Sequence, residues 1–199
     1  MMRKAFRSGL VVVLGAVALL VSCRQQESPP PVNKAPLPSV AAPPYVCEFV
    51  PLDAIRLMTG IQNPIIEGRF NMAVGKMVDG LEYGTGSCRA YQPSGNKSKV
   101  LQIILSPAGG EREVDWEISQ GARRLPEIVS GAVGYYSQNG SAGNTQAAAM
   151  LVHGYDRVIV ELIHGVKGRD NAADVVAMMK LIAPKLILDA TPTPEQAKD

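Results

Sequence analysis

The residues of this 199-residue chain that could carry chemistry are two histidines, His153 and His164, three cysteines, Cys23, Cys47 and Cys88, and a scatter of serines and carboxylates. Two histidines can hold a metal ion when the fold brings their rings together. Here they end two apolar segments, Ala147 to His153 and Arg157 to His164, which flank Gly154-Tyr155-Asp156. That pattern predicts an antiparallel hairpin with the histidines about seven pairs, or about 23 Å, apart at ~3.3 Å per residue. They are expected as strand-end surface residues, not as one metal site. A Ser-His-Asp hydrolase needs a positioned nucleophile, commonly a Gly-x-Ser-x-Gly turn between strand and helix. Gly140-Ser141-Ala142-Gly143 only approaches it and sits in a polar loop. The glycines of Ser130-Gly131-Ala132-Val133-Gly134 lack the lysine and the following helix of a phosphate loop. Asp53, Asp79, Asp115 and Asp156 lack calcium-loop spacing. These patterns lead us to expect no catalytic set, metal site or cofactor.

Cys23 follows Leu20-Val21-Ser22 at the end of the apolar and small-residue run Gly9 to Val21, behind Arg3, Lys4 and Arg7. The run has about thirteen residues, where a bilayer span needs roughly twenty. A short apolar run behind positive charge is a signal-peptide pattern. Its end resembles the lipobox of bacterial lipoproteins. The resemblance implies that the Cys23 thiol receives a diacylglycerol and that residues 1–22 are then removed. Palmitate-like chains would anchor the protein stably, because each buried CH₂ contributes about 0.8 kcal/mol and two chains are enough. The expected location is extracytoplasmic, at the cell membrane. Loss of Arg3, Lys4 and Arg7 takes the formal charge from +2 to −1, which leaves no basic patch for nucleic acid. Cys47 and Cys88 then remain as an even pair in an oxidising compartment. A disulfide closing a loop of about 42 residues is the default, worth roughly 4 kcal/mol at most. A catalytic or metal-bound thiol is the alternative, though no histidine lies near either cysteine in sequence.

The elements that would position these residues follow from period and punctuation. Residues 23–44 comprise the lipidated cysteine and a tether, Arg24 to Pro44, with seven prolines and no aromatic residue. Such a stretch is expected to stay extended, with a reach of up to roughly 60 Å. Residues 45–188 form the expected domain and residues 189–199 a polar tail. Pro51 to Gly60 reads as a short helix with a glycine cap. A strand is expected around Phe70 to Val74, another over Ser87 to Tyr91, and a third over Lys99 to Ser106. Val114, Ile118, Ala122 and Leu125 suggest a helix over Glu111 to Leu125. Asp170 is placed as the N-cap of a last helix that Pro184 ends.

With His153 opposite Arg157, the hairpin has one apolar face of Val152/Val158, Met150/Val160 and Ala148/Leu162. Its other face, Leu151/Ile159 and Ala149/Glu161, is mixed. The expected fold is α+β: a two-layer sandwich of an antiparallel sheet with helices packed on one face. The candidate binding surface is Leu151 and Ile159 on the open face, with Tyr135 and Tyr136 beside the glycine-rich stretch 129–149. Trp116 is expected to pack at a rim.

"VCEFVPLDAIRLMTG", "GSCRAY", "VSGAVGYYSQNG", the hairpin "AAAMLVHGYDRVIVELIHG" and "NAADVVAMMKLIAPKL" follow one another behind the lipobox and tether. This order resembles actinobacterial secreted lipoproteins whose domain has no assigned function. A weaker likeness is to the extracellular sensor domains of mycobacterial receptor kinases. The first resemblance implies a disulfide-bonded α/β envelope domain and carries no catalytic residue across. The expected function is a non-enzymatic binding or accessory lipoprotein of the cell envelope, with an unidentified envelope protein, glycan or lipid as partner. The alternatives are an envelope hydrolase with an unrecognised site and a carrier of lipid or another small ligand.

Overall fold

The computed structural model describes residues 31–72, 77–78, 81–82, 84–107, 110–138 and 145–187. The signal-peptide run, Cys23, Gly140 to Gly143 and the polar tail lie outside them. A compact unit begins at Val32. Its strands are β1 (Tyr45–Val46), β2 (Val50–Pro51), β3 (Ile65–Asn71), β4 (Met77–Val78), β5 (Leu81–Glu82), β6 (Thr85–Tyr91), β7 (Lys99–Pro107), β8 (Arg123–Arg124), β9 (Val133–Gln138), β10 (Ala147–His153) and β11 (Asp156–Leu162). Its helices are α1 (Leu52–Thr59), α2 (Glu111–Ser119) and α3 (Asn171–Leu186). Seven strands make one antiparallel sheet in the order β3-β6-β7-β11-β10-β9-β8. The expected α+β fold, an antiparallel sheet with helices against it, is present.

Alternation along the strands sets the layers. Val100, Leu101, Ile103 and Leu105 of β7 are buried, whereas Gln102 and Ile104 are half-exposed. α3 lies across β9, β10 and β11, and its Val175, Met178, Met179 and Ile182 meet Ala149, Leu151, Val158 and Val160 in the main core. α1 lies beside α3 and adds Ala54, Ile55 and Met58 to that core. Gly60, at φ +71°, closes α1 with its N–H on the Arg56 carbonyl at 2.8 Å. α2 is the exception to helices on one face. Its Val114 and Ile118 pack with Met150, Val152, Tyr135 and Ile159 on the reverse face of the sheet.

Three expectations about elements need correction. The hairpin turn is two residues, Gly154-Tyr155, with Gly154 at φ +57°, so His153 faces Asp156 and not Arg157. The one-residue difference turns β10 over. Ala149 and Leu151 point into the α3 core, while Met150 and Val152 point to α2. Second, α2 stops at Ser119. Gly121 takes φ +103°, and Arg123–Arg124 joins the sheet edge beside β9. Leu125, read as the end of the helical stripe, is buried in the main core with its N–H on the Gly134 carbonyl. Third, Pro184 sits inside α3, which runs on to Leu186. A proline in the last turn removes a single helical hydrogen bond, and burial of Leu186 and Ile187 offsets it.

The domain also begins before Tyr45. Leu37 is 6% exposed within the main core, Ala41 packs against it, and the Asn33 carbonyl accepts a hydrogen bond from the Arg169 guanidinium. The second half of the expected tether is therefore docked. Cys47 and Cys88 form the expected disulfide, with Cα atoms 5.8 Å apart. It ties the β1–β2 turn, where Cys47 and Glu48 hold φ of +49° and +75°, to strand β6.

Candidate functional site

The four proposed surface residues do not share a surface. Leu151 is 1% exposed and belongs to the α3 core, so it is withdrawn from the binding surface. Ile159 packs with Met150 and Tyr135 on the α2 side. Tyr135 and Tyr136, being adjacent on β9, point to opposite faces. Tyr135 lies under α2, and its phenol is pushed up to about 12 by burial and then by Glu117 and Glu113, with Arg157 opposing. Tyr136 packs against the main core and opens into a groove. Trp116 is 59% exposed on α2, so the expected rim packing does not hold.

That groove has a volume of about 660 Å³ and runs between the β8 edge and the flank of α3. Its floor is apolar: Leu125, Pro126, Tyr136, Val176 and the small side chains of Ala172, Ala173 and Ala177. Arg123 and Lys180 stand exposed at its rim. Arg123 faces Tyr136 across the β8–β9 ladder and so projects to the α3 side. Neither cation has an ion-pair partner among the described residues. Arg124, on the opposite side of the edge strand, pairs with Asp115 at 3.2 Å. Asp170 is the one acidic residue in the lining, and its Oδ1 accepts the Ala173 N–H at 2.9 Å as the N-cap of α3. The groove thus carries an excess of positive charge over an apolar floor.

Sequence reasoning missed this site because Arg123 and Arg124 were assigned to the end of a helix. Their signal was available in Gly121, two residues earlier, which breaks the helix and frees the pair for an edge strand.

The remaining candidates are less developed. A smaller hollow of about 370 Å³ lies against Ser137, Ala148, Glu161 and Ile163. The sheet face beyond α2 alternates charge, with Glu67, Arg69 and Glu161 exposed and Arg89 and Gln102 half-exposed, as expected of a solvated face. His153 and His164 lie at opposite ends of β10–β11, and no cluster of metal-ligating side chains occurs among the described residues. His153 faces Asp156, and its Nε2 is 3.9 Å from where a Cβ would stand on Gly131. No helix among the described residues is long and apolar enough to cross a membrane. Compared with family models, curated proteins and solved structures, the chain finds no match.

Proposed function

We propose that the protein is an exported binding module of the cell envelope, lipid-anchored through Cys23, and that the β8–α3 groove is its binding site. The groove carries this reading, because a concave apolar surface with a few convergent polar groups is the usual form of a ligand site. The short apolar run before Leu20-Val21-Ser22-Cys23 supports the anchor. The Cys47–Cys88 bridge suits an oxidising compartment. Docking from Asn33 onward leaves nine residues, Arg24 to Val32, between anchor and domain. At ~3.1 Å per residue they would hold the domain within roughly 30 Å of the lipid. Ligand capture close to the membrane, without covalent chemistry, fits this layout.

Two measurements test the reading. Cys23→Ala should move the protein from the membrane fraction to the soluble one and abolish palmitate labelling. Persistent labelling would remove the anchor from the argument. For the site, an organic extract of the cell envelope added to isotope-labelled protein should shift the amide signals of Arg123 to Pro126, Tyr136 and Ala172 to Lys180. Shifts gathered instead on Glu67, Arg89, Gln102 and Glu161 would place binding on the open sheet face.

A further inference from the structure

We infer that the groove takes a single-chain amphiphile with an anionic head, its hydrocarbon chain along Leu125, Val176 and Ala177 and its head between Arg123 and Lys180. The inference rests on the proposed binding site and names its ligand class. Three observations carry it. The floor offers no side-chain hydrogen-bonding group other than the Tyr136 hydroxyl, so little in it would recognise a sugar or a peptide backbone. The rim offers two cations without ion-pair partners, which attract an anion and leave their apolar stems along the groove wall. Asp170 does not cancel them, because its carboxylate is engaged at the helix start and Arg123 and Lys180 outnumber it. The three alanines on α3 make the trough shallow and smooth, a shape suited to one extended chain. The occupant is a free amphiphile lifted out of the bilayer, since the groove lies between elements of the folded unit.

The test uses Val32–Asp199, the compact unit that contains its own core, with laurate, octanoate and dodecanol as calorimetric probes below their aggregation concentrations. Laurate should bind at least tenfold more tightly than octanoate, because each buried methylene is worth about a fourfold change in affinity. Laurate should also bind at least tenfold more tightly than dodecanol, which lacks the charge. Arg123→Gln with Lys180→Gln should weaken laurate about tenfold or more, weaken dodecanol far less because only stem contacts are lost, and leave the melting temperature unchanged, since both side chains are exposed. Equal affinity for laurate and dodecanol, or for wild type and the double variant, would overturn the anionic head. Three further outcomes would also overturn the proposal. If laurate binds only after residues 189–199 are removed, the groove belongs to the chain's own acidic tail. If the protein pellets with vesicles of phosphatidylcholine and phosphatidylglycerol through Arg123 and Lys180 but does not bind laurate, the groove is a membrane-docking surface. If laurate is silent while an envelope extract still shifts the groove amides, the ligand class is wrong and the binding site stands.

Discussion

Arg169 and Asp174 form a bidentate ion pair, Nε to Oδ2 at 2.8 Å and Nη2 to Oδ1 at 2.7 Å, with side chains only 3% and 5% exposed. The hydrogen bonds to Asp174 hold the guanidinium above its ordinary value, so it stays charged. Its third nitrogen, Nη1, donates to the Asn33 carbonyl and so links the segment before Tyr45 to the start of α3. Removing one partner leaves the other buried and uncompensated, which is expected to cost about 3–5 kcal/mol. Asp174→Ala should lower stability in urea denaturation by that amount and expose the peptide around Asn33 to proteolysis. Replacing both, Arg169→Met with Asp174→Leu, should recover much of the urea stability and leave the Asn33 segment loose. If the double variant is as unstable as the single one, the pair contributes more than the removal of an unpaired charge.

The hairpin register makes a second, sharper prediction. Ala149 and Val160 face each other across β10–β11 and are fully buried against α3. Ala149→Asp and Val160→Asp should each bury an uncompensated charge and unfold the domain at temperatures where the wild type is intact. Ala148, half-exposed on the reverse face opposite Glu161, should accept lysine within roughly 1 kcal/mol. Had His153 faced Arg157, Ala149→Asp would be the mild variant. Melting temperatures of the three variants decide the matter.

How far the sequence could be read is visible in the same hairpin. Its existence, its two strands and the burial of Val158, Val160 and Leu162 follow from period alone, because β11 alternates against Arg157, Ile159 and Glu161. The register did not follow. Every residue from Ala147 to Val152 is apolar, so β10 has no polar face to choose between, and only the two-residue turn fixes its orientation. The stripe Val114-Ile118-Ala122-Leu125 misled for a related reason. Val114 is buried and Ile118 half-buried on one side of the sheet and Leu125 is buried on the other, and helical spacing cannot distinguish one continuous stripe from two separate burials. Leu37 was invisible because seven prolines around it suggested an unstructured tether. A Pro-rich segment can still dock one apolar side chain. The groove depended on tertiary placement of an edge strand two residues long, below what any period reveals.

Cys47 and Cys88, 41 residues apart, should resist alkylation in native oxidised protein and react after reduction. Closing a loop of that length contributes up to about 4 kcal/mol by restricting the unfolded chain. Cys47→Ser with Cys88→Ser should therefore lower the urea midpoint strongly without changing the sheet. The greatest local loosening, read by hydrogen exchange, is expected at the β1–β2 turn, where Cys47 and Glu48 hold positive φ. Free thiols in freshly purified protein would contradict the bridge.

Tyr135 sets a stability change at high pH whose direction can be stated in advance. Its hydroxyl lies on the α2 side of the sheet, where burial first, then the negative charges of Glu117 and Glu113, push its ionisation up to about 12, against an opposing Arg157. The ordinary tyrosine value is near 10. Because the folded value is the higher one, the unfolded chain ionises first as pH rises. The stability contributed by neutral Tyr135 is thus fully present below pH ~10 and is lost as pH climbs through about 12. The chain has six tyrosines, so the measurement must be a difference. Subtracting the tyrosinate absorbance of Tyr135→Phe from that of the wild type should leave one late titration centred about two units above the ordinary value. Glu113→Gln with Glu117→Gln should move that titration only part of the way back, because burial is the larger cause. The variant Tyr135→Phe should also lose less stability than the wild type between pH 10 and 12, where no phenol at this position can ionise. If the difference titration instead centres on the ordinary tyrosine value, Tyr135 is open to water and α2 does not cover this part of the sheet.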